Sequence, residues 1–207
     1  MGRAQCAIRH FGHLGEQCRR PADVAIDSAR ESGVGVGKVL RFEGRCWKFG
    51  DNVPTDLITP THIMFKTAKE MAGFVLEGLN PEFPKRVAPG DILVAGRNFG
   101  CSSGRALAAK ALQATGIGVV VAELFARTFY RNGHEIGLPL LEAPGVHGLV
   151  NDGDRLQVDI EAGTVHNLTT GAAIRGKVPP DFLLDMLKSG GLIALLQSGA
   201  AFIDLPQ

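Results

Sequence analysis

The sequence predicts an α/β fold built on a central parallel βαβαβ core. Three short, almost purely apolar runs, at residues 91–96, 118–122 and 138–142, have the pattern of strands that are buried on both faces. Two segments of helix-forming residues, 105–114 and 124–131, lie between them. Strands that alternate with helices in this way pair in parallel through right-handed crossovers.

The flanking segments add elements on both sides of this core. Residues 39–49 alternate well enough for one or two strands, and apolar positions at helical spacing predict a helix over residues 68–79. Residues 155–168 alternate in two halves around an Ala-Gly turn, which predicts an added, half-exposed β-hairpin. A terminal helix over residues 181–188 is followed by a short helical tail over residues 192–202.

The first part of the chain has a different character. Residues 1–37 are rich in Gly, Arg, Ala and His, and they end in the glycine-laced segment 33–37. We expect them to form an appendage that is joined by a flexible hinge. The folded domain then spans residues 38–207.

Composition limits the class of protein. A chain of 207 residues with 45% hydrophobic residues can bury one good core but not two ordinary domains with a linker. The formal net charge of +1 leaves no broad basic face, so nucleic acid is a poor candidate partner. No apolar run approaches the roughly 18 residues of a membrane span, and residues 1–20 lack the pattern of a secretory signal. We therefore expect a cytoplasmic protein that does not enter a membrane.

The cysteines do not predict a metal site in this chain. Cys6, Cys18, Cys46 and Cys101 form no CxxC pair, and no histidine stands at structural-zinc spacing from them. We interpret them as reduced thiols that pack mainly as small hydrophobic side chains.

The loop after the first core strand is the best candidate for chemistry. Residues 98–104 (NFGCSSG) lie where a buried strand meets a helix N-terminus, a place where open α/β sheets bind ligands. Free N–H groups and the helix dipole favour an anion there, and Arg105 adds a positive charge. On this geometry alone, an ordinary Ser/Gly helix cap is the commoner explanation.

The motifs around this loop resemble those of one protein family. From about Val39 to Gln197, motifs similar to those of the 3-isopropylmalate dehydratase small-subunit family occur in family order: KFGDNVPTDLITP at 48–60, GRNFGCSSGR at 96–105, FARTFYRN at 125–132, GLPL at 137–140, NLTTG at 167–171 and GGLI at 190–193. The order of the motifs makes chance a poor explanation.

The resemblance implies both a fold and an assembly. Members of the family adopt a swivelling β/β/α domain that closes over a large subunit, which holds a four-iron four-sulfur cluster on three cysteines. The implied activity is that of a hydro-lyase, active only with the large subunit, that removes and re-adds water on neighbouring carbons of a malate-type dicarboxylate. In this chemistry an iron acts as a Lewis acid on the departing hydroxyl, while a serine oxygen takes the proton from carbon.

The resemblance also implies site residues. Aligned without a gap, the catalytic serine of the family falls on Ser103, its substrate-carboxylate arginine on Arg105 and an active-site aspartate on Asp56. A helix N-terminus and an arginine supply the positive potential that a serine needs to act as a base. We expect Arg105 to lie in the first helical turn.

The loop departs from the usual family pattern Gly-Cys-Gly-Ser-Ser-Arg-Glu-His. Ser102 stands where glycine is usual, and Gly104, Ala106 and Leu107 replace a serine, a glutamate and a histidine. We expect Ser102 and Gly104 to contact the substrate. The lost groups indicate a site that is retuned, weakened or inactive.

The segment after Pro60 corresponds to the specificity loop of the family. Ile63, Met64 and Phe65 suit an alkyl substituent better than a charged one, although loop packing is an equally common role for such residues. The predicted substrate is a 2-substituted malate, with 3-isopropylmalate first, in an isomerisation of the leucine-biosynthesis type. The alternatives are a related hydratase of citraconate, dimethylmaleate or a specialised-pathway acid, and a non-catalytic swivel subunit that regulates a large subunit.

Overall fold

The architecture is a seven-stranded mixed sheet with helices on its faces. A computed structural model describes residues 39–63 and 65–199. The strands are β1 (Arg41–Lys48), β2 (Ile92–Ala95), β3 (Val119–Ala122), β4 (Leu140–Glu142), β5 (Arg155–Asp159), β6 (Thr164–Asn167) and β7 (Ala173–Arg175). The α-helices are α1 (Thr55–Ile58), α2 (Ala68–Met71), α3 (Phe83–Arg86), α4 (Leu107–Ala114), α5 (Arg127–Glu135), α6 (Val146–Leu149), α7 (Asp181–Ser189) and α8 (Leu192–Gln197).

The strand order divides the sheet into a parallel half and an antiparallel half. The order is β4-β3-β2-β1-β5-β6-β7, with β1 to β4 parallel and β5 to β7 added antiparallel beside β1. In the parallel register Cys46 lies opposite Ile92, which in turn lies opposite Val119. The predicted core β2-α4-β3-α5-β4 and the predicted hairpin β5–β6 are therefore confirmed, and β1 extends the core as a fourth parallel strand.

The sheet is covered on both faces because its central strands are apolar throughout. In β2, Leu93 and Ala95 belong to one buried cluster, while Ile92 and Val94 belong to the other. Side chains alternate between the two faces of a strand, so each cluster lies on its own side of the sheet. The first cluster includes Phe129 of α5 together with side chains of α2 and α4, and the second includes residues of α6 and α7.

The helix predicted over residues 68–79 is wrong in its second half. α2 ends at Met71, a 3₁₀ turn follows at Ala72–Phe74, and Leu76 adopts a φ of 58°. The Leu76 N–H donates to the Ile58 carbonyl at 3.1 Å, and the Leu76 side chain is completely buried. Turning this side chain into the core therefore overrides the helical pattern, and Gly73 weakens the helix at the same point.

The boundaries of the core helices also differ from the prediction. α5 begins at Arg127 instead of residue 124 and continues to Glu135. Phe99 N donates to Leu124 O at 3.1 Å and Ala126 N donates to Phe99 O at 2.9 Å, which holds residues 124–126 extended. The tail helix α8 ends at Gln197, and the short elements α1, α3, α6 and β7 were not predicted.

The predicted appendage at residues 1–37 lies outside the described residues and stays a prediction. Within the described ranges, no helix combines the length and the apolar character that crossing a membrane requires.

Candidate active site

Two loops meet at the carboxyl edge of the parallel strands and form the site. One follows β1 and leads into α1, and the other follows β2 and leads into α4. Because β1 and β2 are parallel neighbours, their following loops emerge side by side. Main-chain hydrogen bonds join the two loops: Asn52 N to Arg97 O (2.7 Å), Gly100 N to Val53 O (2.8 Å) and Thr55 N to Cys101 O (2.9 Å).

The β2–α4 loop contains several left-handed residues. Asn98 has a φ of 62°, Gly100 of 78° and Ser102 of 77°. Asparagine tolerates this conformation, and glycine adopts it without cost. At Gly100 a β-carbon would also overlap the ring of Phe129, so both space and backbone conformation require glycine there.

Ser103 has a hydroxyl that is bound to Arg105. Its Oγ accepts hydrogen bonds from the Arg105 backbone N–H at 3.3 Å and from the Arg105 Nε at 3.2 Å. A guanidinium that donates to a hydroxyl oxygen favours negative charge on that oxygen. The predicted pairing of Ser103 with a positive group is therefore present in the geometry.

Arg105 precedes α4 and does not lie in its first turn, contrary to our expectation. α4 begins at Leu107, with Ala106 as its N-cap. The Arg105 N–H is used by Ser103, and the Gly104 carbonyl accepts a hydrogen bond from Asn132 Nδ2 at 2.8 Å. These bonds hold the segment outside the helix.

Asp56 completes the polar part of the site. It lies in the first turn of α1, and its Oδ1 is 3.8 Å from an Arg105 terminal nitrogen. Their side chains are 56% and 52% exposed, so this ion pair contributes little to stability. Its effect is to place the guanidinium between the two loops.

A shallow cleft lies between these groups. Its α1 side is formed by threonines and Asp56, and its α4 side by Ser103, Arg105 and two apolar residues; the lining residues are Thr55, Asp56, Thr59, Thr61, Ser103, Arg105, Leu107 and Ala108. The structure thus brings Ser103, Arg105 and Asp56, the three residues matched to the family motif, to one cleft; their roles stay a prediction.

The other predicted substrate contacts are placed differently. Ser102 and Gly104 flank the described lining of the cleft instead of forming it. Ile63 is only 2% exposed and packs in the core cluster, so the structure does not bring it to the cleft. The apolar character that suggested a substrate contact is used for packing instead. Met64 lies outside the described residues, and Phe65 next to it is 94% exposed.

Comparisons with known proteins show relatives of this chain. The family model of the aconitase C-terminal domain matches residues 65–144. The chain is 48% identical to the isopropylmalate/citramalate isomerase small subunit of Methanocaldococcus jannaschii, over 77% of this chain and 96% of that protein. The chain belongs to the 3-isopropylmalate dehydratase small-subunit family.

Further members of this small-subunit family agree in sequence and fold. The methanogen homoaconitase small subunit of Methanothermobacter thermautotrophicus is 46% identical, over 73% of this chain and 88% of that protein. The crystal structure of 3-isopropylmalate dehydratase from Methanocaldococcus jannaschii superposes with a TM-score of 0.73 at 36% identity, covering 77% of this chain and 95% of that chain. The α/β fold predicted from the family resemblance is confirmed.

The structure shows where the residues lie that differ from the usual small-subunit loop. Ser102 has the left-handed backbone that glycine, usual in the family, adopts freely. Gly104 is exposed beside Asn132, and Leu107 lines the cleft where the family usually has histidine. The side chains of this loop thus differ from the usual family pattern at the cleft and beside it.

The described residues do not form a metal-binding cage of the kind a cluster needs. No group of three or more His, Cys, Asp or Glu side chains within these ranges could hold a metal ion. Cys46 is completely buried, and burial together with Asp152 and Asp154 raises the pKa of its thiol to about 12. A thiol that stays protonated is a poor metal ligand. Cys6 and Cys18 lie outside the described residues.

Three residues around the cleft were not singled out from the sequence. Thr55 bonds the β2–α4 loop through its backbone and its hydroxyl, and its position directly before Asp56 in the motif is a signal that could have indicated it. Asn132 closes the FARTFYRN motif and binds the Gly104 carbonyl. Thr59 has a buried hydroxyl with no partner among the described residues, and such an environment leaves no sequence pattern.

Proposed function

We propose that this chain is the small subunit of a cytoplasmic hydro-lyase that dehydrates and rehydrates a 2-substituted malate, with 3-isopropylmalate as its substrate. The names of the relatives support this proposal, because they describe small subunits of isopropylmalate and related isomerases and dehydratases. The partner is then a large subunit, and the reaction is an isomerisation of the leucine-biosynthesis type.

The observation that supports this chemistry best is the contact between Ser103 Oγ and Arg105 Nε at 3.2 Å in a cleft that also contains Asp56. In the proposed reaction, Ser103 Oγ takes a proton from the carbon next to a substrate carboxylate. Arg105 binds that carboxylate and lowers the energy of the serine alkoxide by charge and hydrogen bonding. Asp56 holds the guanidinium in place from the opposite wall.

The cofactor of the proposed enzyme is a four-iron four-sulfur cluster that is held by the large subunit. The family resemblance assigns the cluster ligands to the large subunit, and no group of residues in the described part of this chain offers a donor set for such a cluster. When bound, the cluster supplies a Lewis acid to the hydroxyl that leaves. We expect the isolated chain to bind no iron and to have no dehydratase activity.

The lining of the cleft supports an alkyl substituent on the substrate. Leu107 and Ala108 contribute apolar side chains to the lining, which also includes Thr59 and Thr61. Among the described lining residues, Arg105 is the only cation, so these residues offer no second counter-charge for an additional carboxylate. This lining favours 3-isopropylmalate over a homoaconitase-type tricarboxylate. Leu107 then takes the substrate-contact role predicted from the sequence for Ile63.

The second candidate function is a regulatory swivel subunit without catalytic activity. It is favoured by the glycine, alanine and leucine that replace the usual serine, glutamate and histidine at Gly104, Ala106 and Leu107. A related hydratase acting on citraconate or dimethylmaleate remains the alternative within the enzyme class.

Reconstitution with the large subunit tests these proposals. The two chains are produced together, the cluster is assembled without oxygen, and formation of the conjugated alkene is followed by ultraviolet absorbance. Turnover of 3-isopropylmalate by the pair, and by neither chain alone, is the expected result. A stable complex with a loaded cluster but no turnover of any 2-substituted malate contradicts the enzyme proposal and favours the regulatory one.

A Leu107→Ala variant tests the apolar contact in the same assay. We expect kcat/KM for 3-isopropylmalate to fall about tenfold or more, because one lost apolar contact in a pocket has about this effect. Leu168→Ala, at a half-exposed leucine on the β-hairpin side of the sheet, is the matched control and is expected to leave kcat/KM unchanged. Equal kcat/KM for the wild type and Leu107→Ala removes Leu107 from the substrate contacts.

A further inference from the structure

We propose that Thr55 and Ser102 form a hydroxyl clamp that fixes the direction of Ser103, which makes Thr55 a positioning residue for the reaction. This inference rests on the proposed function of Ser103 as the base. It concerns two residues outside the serine, arginine and aspartate set of the family motif.

The clamp is visible as two consecutive contacts between Thr55 and the β2–α4 loop. The Thr55 N–H donates to the Cys101 carbonyl at 2.9 Å, and the Thr55 and Ser102 hydroxyl oxygens are 3.3 Å apart. Thr55 is only 5% exposed and begins α1, so it is a fixed point on the opposite loop. The two residues that precede Ser103 are thus both held by Thr55.

The backbone of Ser102 explains why the hydroxyl contact matters. Its φ of 77° lies in the left-handed region, which is unfavourable for a residue with a β-carbon. Glycine at position 102 would adopt this conformation freely. An apolar side chain would have the same backbone cost as serine but could make no hydrogen bond to Thr55. A serine gives a hydroxyl that reaches Thr55, and this contact offsets part of the backbone cost.

The direction of the Ser103 side chain depends on this backbone. Ser103 is only half-buried, and the hydrogen bonds that define its Oγ come from Arg105, two residues later in the same loop. Gly104 between them lowers the stiffness of the segment. The clamp at residues 101 and 102 is therefore the rigid support from which Ser103 projects into the cleft.

Variants at both positions test the clamp in the reconstituted enzyme. Thr55→Val keeps the shape and the backbone N–H but removes the hydroxyl, and Ser102→Ala removes the hydroxyl while keeping the backbone cost. Each is expected to lower kcat about tenfold with KM nearly unchanged, because misplacing a reacting group by less than 1 Å has effects of this order. Thr55→Ser restores the hydroxyl and should recover most of kcat.

Thr115→Val is the matched control. It removes a threonine hydroxyl that is hydrogen-bonded to the Leu112 carbonyl at the far end of α4, 2.7 Å away, and should leave kcat and KM at the wild-type values. A Thr55→Val enzyme with wild-type kcat, or a loss that Thr55→Ser does not recover, overturns the positioning role. A rise in KM with unchanged kcat would instead assign Thr55 to substrate binding.

A double-mutant cycle on the full chain without its partner separates the clamp from the proposed function. The unfolding equilibrium constant is measured for Thr55→Val, for Ser102→Ala and for the double variant. If the two hydroxyls interact, the effect of the double variant differs from the product of the two single effects by about twofold to fivefold. Additive effects overturn the clamp. An inactive wild-type pair combined with a non-additive cycle rejects the proposed function and the positioning role but leaves the contact itself established.

Discussion

The substitution Gly100→Ala probes the packing that shapes the candidate active-site loop. Gly100 has a φ of 78°, and a β-carbon there would overlap the Phe129 ring. That ring is 1% exposed, packs edge-on against Phe99 at 5.3 Å and stacks on Phe125 at 6.2 Å, measured between ring centroids. The added methyl group therefore meets an aromatic cluster that has no free space.

Two costs add in this variant. Placing alanine in the left-handed region costs about 1 kcal/mol. Forcing a methyl group into a well-packed core costs about 1–3 kcal/mol, because neighbouring side chains leave their preferred rotamers. We expect Gly100→Ala to lower the free energy of unfolding by about 2–4 kcal/mol, a large share of the stability of an ordinary domain.

Urea unfolding followed by tryptophan fluorescence measures this loss. The chain has a single tryptophan, Trp47, which is 1% exposed in the core and reports on folding of the sheet. Gly148→Ala is the control, because a β-carbon there meets nothing within 4 Å. We expect this control to be neutral or stabilising by up to about 1 kcal/mol, since Gly148 lies in helix α6. A Gly100→Ala protein within about 0.5 kcal/mol of the wild type would refute the packing argument.

Further predictions concern other parts of the chain. Deleting residues 1–32 should leave one cooperative unfolding transition, because the family resemblance begins only near residue 39; a broad or multiphasic transition contradicts this. Burial holds the pKa of His134 below its ordinary value of 6.5, although a backbone hydrogen bond to Tyr130 opposes the shift. The histidine therefore binds a proton more readily in the unfolded chain than in the folded one, so the stability present above pH 6.5 is lost as the pH falls below that value. Unfolding curves measured at several pH values should show a weaker pH dependence for His134→Phe than for the wild type. Burial raises the pKa of Cys46 to about 12, so peptide mapping should find Cys46 unmodified by iodoacetamide in the folded protein; alkylation as fast as in urea would show that it opens.

The parallel core could be predicted because its signal is local. The runs around β2, β3 and β4 are short and almost purely apolar, which is the composition of a strand covered on both faces. The helix over residues 68–79 could not be predicted correctly, because Leu76 leaves the helical conformation to fill a space that distant elements create. The three-residue strand β7 lacks the continuous apolar run that marks β4, and three residues have no periodicity from which to predict a strand.

The candidate site could be predicted in its residue types but not in its contacts. Ser103, Arg105 and Asp56 follow from motif order, and the structure brings them to one cleft. The burial of Ile63 and the bond between Thr55 and Ser102 depend on how two loops pack across β1 and β2. Sequence spacing contains no information on such contacts between loops that are far apart in the chain.

The central claim is that Ser103 provides the base, and its removal tests that claim most directly. In the complex with the large subunit and its cluster, kcat is measured side by side for the wild type, Ser103→Ala and Ser102→Ala. A general base contributes about 10²–10⁴ in rate, so we expect Ser103→Ala to lose turnover by that factor while Ser102→Ala loses only about tenfold. Near-normal turnover for Ser103→Ala, or a collapse confined to Ser102→Ala, would contradict the assignment.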